Sequence, residues 1–173
     1  MVKIVQKENQ GLREPAKEVG VALFGTPKLK KIIAEMSEAL GKEDDGVALA
    51  APQIGLPLRL FIVSGKIFMT ESDAQAKKIK PNLIFINPII TSLSKAKQEV
   101  EEGCLSVRWL YGQVKRSAKA TVTAYDINGK KFTRSGSGLL AQIFQHEVDH
   151  LNGVLFTDKT KELKEYHPEP QNK

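Results

Sequence analysis

The sequence predicts an α+β fold in which a late, largely buried helix packs against antiparallel strands. Three observations predict it. Leu29, Ile32, Ile33, Met36 and Leu40 recur at helical spacing early in the chain. Short strand-like runs follow through the middle, two of them joined by Asn128-Gly129. Near the end, Leu139, Leu140, Ile143, Phe144, Val148 and Leu151 mark a helix with a broad apolar surface.

The expectation is one domain over residues 1–173, long enough to bury a core, with an irregular arm over about residues 1–20 and a mobile tail over about 166–173. Leu12, Pro15, Ala16 and Val19 lay the arm onto the domain. Thr26 can cap a helix and Pro27 is tolerated in its first turn, so a core-facing helix opens there and ends at Gly41. Gly46-Val-Ala-Leu-Ala-Ala-Pro-Gln-Ile-Gly55 is small and apolar, with one amide at Gln53. Its small side chains let the backbone lie close to a ligand or to another strand, although a tightly packed loop explains the segment alone equally simply.

Leu58–Val63 and Leu83–Ile90 read as strands, with Pro88 marking an end or an edge of the second. Gly65–Asn82 between them is polar and reads as a surface excursion. Val114–Ser117, Ala120–Asp126 and Lys131–Arg134 read as further strands, the last two joined as a two-residue hairpin at Asn128-Gly129. Asn152-Gly153 stops the late helix.

Composition excludes several classes. Hydrophobic content of 41% and charged content of 27% fit an ordinary globular chain. No N-terminal apolar run has signal-peptide length and none reaches eighteen residues, so neither export nor a membrane span is expected. Cys104 is the only cysteine and cannot form an internal disulfide, which fits the reducing cytoplasm. The net charge of +6 is concentrated between Gly103 and His146, where Arg108, Lys115, Arg116, Lys119, Lys130, Lys131 and Arg134 face Asp126 alone. That basic stretch is either a face that approaches RNA or the ribosome, or the solvated outer side of strands. Without a nucleic-acid motif, specific DNA binding is not expected.

The chemistry centres on Gln145-His-Glu-Val-Asp-His150. On a helix, residues four apart share a face, so His146 and His150 can reach one metal ion. Glu147 projects from nearly the same side, within range of a proton on water at that ion. The bland alternative is two satisfied histidines on a core helix. It loses ground because the chain has only three histidines and two stand at this spacing, while His167 reads as a surface residue. Cys104, beside Gly103 in Glu101-Glu-Gly-Cys-Leu-Ser106, could present a thiolate or serve as a small buried hydrophobe.

Taken together, Gly46-Val-Ala-Leu-Ala-Ala-Pro-Gln53, Glu102-Gly-Cys-Leu-Ser106 and Gln145-His-Glu-Val-Asp-His150 resemble, in order, the three signature motifs of the peptide deformylases. The resemblance runs from the Leu12–Val19 arm to Leu155-Phe156. It implies a central metal-binding helix surrounded by small antiparallel sheets. It also implies Cys104, His146 and His150 as metal ligands, with Fe(II) the expected ion and Zn(II) or Ni(II) able to occupy the site. The implied reaction removes formyl from the N-terminal formyl-methionine of nascent chains. Glu147 would be the general acid and base, and the Gln53 amide and the Leu105 backbone N–H would hold the oxyanion. The substrate backbone would pair as an added strand near Val47, Ala48 and Gly103, and its methionine would enter a pocket of Val47, Leu139 and Ile143.

Two places depart from the family pattern: Ala48 replaces the usual glycine, and Arg108-Trp109 stands where the chain usually turns through proline, so that the turn and one rim of the site are expected to differ. The resemblance therefore leaves room for an altered N-acyl substrate preference. A zinc-dependent peptidase shares the His-Glu-x-x-His helix, but usually takes its third ligand downstream, whereas Cys104 lies upstream. A binding protein retaining only the metal site would be expected to lack Glu147 or Gln53, and both are present.

Overall fold

The computed structural model describes residues 2–76 and 80–167. In chain order the elements are α1 (Pro27–Gly41), β1 (Ala48–Ala50), β2 (Leu60–Val63), α2 (Glu71–Gln75), β3 (Leu83–Leu93), β4 (Lys97–Gly103), β5 (Leu110–Ser117), β6 (Lys119–Tyr125), β7 (Lys131–Ser137), α3 (Leu139–Leu151) and β8 (Leu163–Glu165). Short 3-10 turns join several of them. The strands form two antiparallel sheets, one ordered β1-β2-β3-β6-β7 and the other β4-β5-β8. Helix α3 packs against strands of both, which is the α+β arrangement expected.

Helix α1 begins and ends where its sequence signals place it. Thr26 Oγ accepts the Leu29 N–H at 3.3 Å and donates to the Leu23 carbonyl at 2.7 Å. The five residues at helical spacing are all buried, and the helix lies against β1 and β2. Beneath α3 the rings of Phe61 and Phe85 stack at 4.6 Å, and Phe144 meets Phe85 edge-on at 5.3 Å. Each such fully buried side chain contributes roughly 1.5–3 kcal/mol by leaving water. Gln145 locks the register of α3: its amide accepts the Ser117 N–H and donates to the Ser117 carbonyl, each at 3.0 Å.

Several expectations need correction. Pro88 marks neither an end nor an edge, because β3 continues to Leu93 in the middle of its sheet. The register shifts between Ile86 and Ile89, and Pro88 sits in that bulge, where a missing N–H breaks no ladder bond. The β6–β7 hairpin closes through Ile127-Asn128-Gly129, with Asp126 and Lys130 still hydrogen-bonded. Of these only Gly129 has positive φ, at 82°, so this is a three-residue turn with a left-handed last residue. Strands β5 and β7 are longer than expected, and β4 and β8 were not anticipated.

The arm is held by Leu12 and Val19, while Pro15 is exposed. Gly65–Asn82 contains α2 and a 3-10 turn, with residues 77–79 outside the described part. Of the tail expected to be mobile, Tyr166 donates its N–H to the Trp109 carbonyl and sets its ring edge-on to Tyr111; residues 168–173 lie outside the described part.

Candidate active site

Strand β4 ends at Gly103, and the chain turns at once: the Cys104 carbonyl accepts the Val107 N–H at 2.9 Å. This turn delivers Cys104 to the face of α3 that carries His146 and His150. The two imidazole rings meet edge to face, 4.9 Å between centroids, and Cys104 Sγ lies 3.2 Å from His150 Nε2. One donor atom from each of the three residues falls within 4.8 Å of the others. A thiolate and two imidazoles at such separations can share one divalent ion while leaving a coordination position open.

A buried charge network orients the histidine face. His146 Nδ1 lies 3.0 Å from Glu102 Oε2, which leaves Nε2 as the ring nitrogen available to an ion. Glu102 is gripped in turn by Arg116, through Nε at 2.7 Å and Nη2 at 2.9 Å. Arg116 also donates to Asp149, which accepts from Lys159 as well. Burial alone would raise the Glu102 pKa, but its bonds to Arg116 and His146 hold it down at about 2. Burial also opposes a charged His146, yet contact with Cys104 and Glu102 lifts its pKa well above the ordinary value. His150, deeply buried, is pushed well below the ordinary value and stays neutral, the form that ligates metals.

Glu147 is buried, with Oε2 unpartnered among the described residues, and its burial raises the carboxyl pKa to about 7. Gln53 Oε1 accepts the Ala50 N–H at 2.8 Å. Its amide nitrogen is thereby aimed at Ser106 Oγ, at 3.2 Å, and at Cys104 Sγ, at 3.5 Å. Glu147, Gln53 and Cys104 line a cavity of about 350 Å³ flanked by β1 and β4, each the terminal strand of its sheet. Val47, Ala48, Gly103, Leu105, Leu139 and Ile143 all line it too. Val47 and Leu139 remain 37% and 50% exposed, so the cavity presents free apolar surface.

Trp109 lines the cavity at the rim expected to differ, while the Glu102–Arg116 support and the wall formed by Leu110, Tyr111 and Gln142 were not foreseen. The signal for Arg116 was present. It is in phase with Gly112 and Val114, the inward-facing residues of β5, so a charge there required a buried partner. Tyr111 lies across Gly103, where an added Cβ would meet its Cε1 at 2.6 Å.

The two departures from the family pattern also find places. Ala48 belongs to the apolar cluster beneath α3 and lines the cavity with only 6% of its surface exposed. Arg108 binds both Asp45 oxygens, at 2.6 and 3.1 Å, and Glu43 at 2.6 Å, and stacks on Trp109. An ion pair thus braces this turn in the absence of proline. With Arg116 and Arg108 both committed to acids, the remaining strand cations of the basic stretch are divided between the two sheets. Lys115 lies on one sheet, and Lys119, Lys131 and Arg134 on the other.

The family model described as polypeptide deformylase matches residues 1–166. Peptide deformylase 2 of Clostridium acetobutylicum is 37% identical over 155 residues, covering 90% of this chain and 92% of the relative. A peptide deformylase of Roseiflexus castenholzii is 42% identical over 141 residues, covering 79% and 76%. Among solved structures, the class I type b peptide deformylase of Acinetobacter baumannii bound to Met-Ala-Ser superposes with a TM-score of 0.81 at 28% identity, covering 92% of this chain and 98% of that one. The peptide deformylase of Synechococcus elongatus in complex with actinonin gives 0.79 at 33% identity, covering 93% and 79%.

Proposed function

The chain belongs to the polypeptide deformylase family, and on that premise we propose how its residues divide the work of removing formyl from the N-terminus of nascent peptides. It is a metal-dependent hydrolase. The observation that carries the assignment of roles is the convergence of Cys104, His146 and His150 donor atoms within 4.8 Å beside the buried Glu147 carboxyl. We assign these three as the residues that hold the ion, with Fe(II) as the native metal. Bound there, a divalent ion acidifies water and polarises a carbonyl.

Glu147 accepts the proton of the attacking water and passes it to the leaving amine nitrogen as the formyl C–N bond breaks, giving formate and a free N-terminus. The side-chain amide of Gln53 and the N–H of Leu105 stabilise the oxyanion; loss of one such donor typically costs about 10²–10³ in rate. The peptide backbone adds to the edges of β1 and β4 near Val47, Ala48 and Gly103. Its methionine side chain sits among Val47, Leu139 and Ile143.

Removing the metal tests this reading. Metal-replete protein is expected to release formate from formyl-Met-Ala-Ser, to stop after chelation, and to recover on adding Fe(II) without oxygen. Fully metal-loaded protein that releases none would overturn it. No helix among the described residues is long and apolar enough to cross a membrane. A cytoplasmic place of work, beside the ribosomes from which the substrate emerges, belongs to the same proposal, as does an approach to the ribosome surface by Lys115, Lys119 and Lys130. Charge reversal at all three should reduce ribosome co-sedimentation; unchanged co-sedimentation would remove that role.

A further inference from the structure

The turn after β4 is braced from outside the signature motifs. Leu105 and Ser106 are its two corner residues, and the peptide group between them has both ends engaged. Its N–H, from Ser106, points at Cys104 Sγ at 3.4 Å. Its C=O, from Leu105, accepts a hydrogen bond from the Gln6 side-chain amide at 3.1 Å, across 99 residues of chain. The two ends belong to one planar, conjugated group, so a donor on the oxygen fixes the plane and strengthens the N–H as a donor.

The arm that supplies Gln6 is itself anchored. Val5 donates its N–H to the Gln53 carbonyl at 2.8 Å. Val2 and Ile4 pack against one core cluster, and Val5, with Cys104, packs against another. The arm thus touches both residues assigned to the oxyanion, Gln53 and Leu105, from the side away from substrate.

We propose that Gln6 is a positioning residue of the deformylation site, an inference that rests on the deformylase reading above. It holds the Leu105–Ser106 peptide plane so that the Ser106 N–H bonds the Cys104 sulfur and the neighbouring Leu105 N–H keeps its aim at the oxyanion. Gln6 touches neither substrate nor ion. It acts through one peptide group.

The test compares the full chain with Gln6→Met, which keeps shape but removes the donor, and Gln6→Lys, which restores one. Each is loaded with Co(II). The thiolate-to-cobalt absorption band is recorded, Co(II) is competed against a chelator, and kcat and KM are measured on formyl-Met-Ala-Ser. Gln6→Met is expected to shift the band, loosen Co(II) and lower kcat by about five-fold at unchanged KM, the size of one lost hydrogen bond. Gln6→Lys should recover most of each change. A Gln6→Met protein with the wild-type band and wild-type kcat per bound metal, even if its Tm falls, would overturn the inference. Should wild type itself release no formate, the deformylase reading fails, while the absorption band still decides whether Gln6 acts on the sulfur.

Discussion

Arg108 illustrates how a single side chain can take over the work of a turn residue. It reaches Asp45 and Glu43, which precede β1, and so ties the two edges of the cavity together. The hydrogen bond from Arg108 depresses the Asp45 pKa from its ordinary 3.8, against a smaller opposing effect of burial. A depressed folded-state pKa means the pair's stabilisation is fully present above the unfolded value and is lost as pH falls through the folded one. Urea unfolding of wild type between pH 6 and pH 2.5 should therefore lose part of its stability below about pH 4, and Arg108→Ala should lose less over the same range. Parallel profiles would show that the pair contributes nothing, as some exposed pairs do. The shared face of His146, Glu147 and His150 was legible in the sequence from residue type and spacing, whereas Cys104 joined them only through the resemblance to the deformylases. The pairing of Glu102 with Arg116 was not legible, because it arises only when β4, β5 and α3 are stacked.

At the scale of elements, legibility followed the strength of local signals. Helix α1 was readable to the residue because Thr26, Pro27 and Gly41 punctuate a clean apolar period. Strand β8 was invisible: three exposed residues carry no alternation, and only pairing with β5 defines them. Strand β3 was cut short because Pro88 usually ends a strand, whereas here Asn87 absorbs the irregularity. Asn87 has φ 49°, and its amide bonds the Val19 N–H at 2.8 Å and the Val19 carbonyl at 3.0 Å. Asn87→Ala should therefore destabilise by about 1–3 kcal/mol, combining lost hydrogen bonds with left-handed strain. Asn87→Gly should cost less, since glycine tolerates the backbone. Denaturant midpoints for the two variants check this; equal, near-wild-type values would mean the bulge does not depend on Asn87.

For the whole molecule, the consequential feature is the meeting of two sheets that end at the same cavity. Strand β1 closes one sheet, β4 closes the other, and α3 lies against both with its histidine face toward the gap. The α+β class was legible from element order. That small antiparallel sheets surround the helix came only from the resemblance, and which strands join which sheet was not legible, because sheet membership is decided by pairings distant in sequence. This geometry supports the proposed division of labour, in which three side chains hold the ion and Glu147 moves the proton. The most direct measurement is kcat for formate release from a formyl-methionyl peptide by Fe(II)-loaded Glu147→Ala, with bound metal determined on the same sample. Full metal occupancy and a kcat lowered by at least about 10²-fold are expected, the usual contribution of a positioned general base. A variant that keeps both its metal and its wild-type kcat would contradict that division of labour.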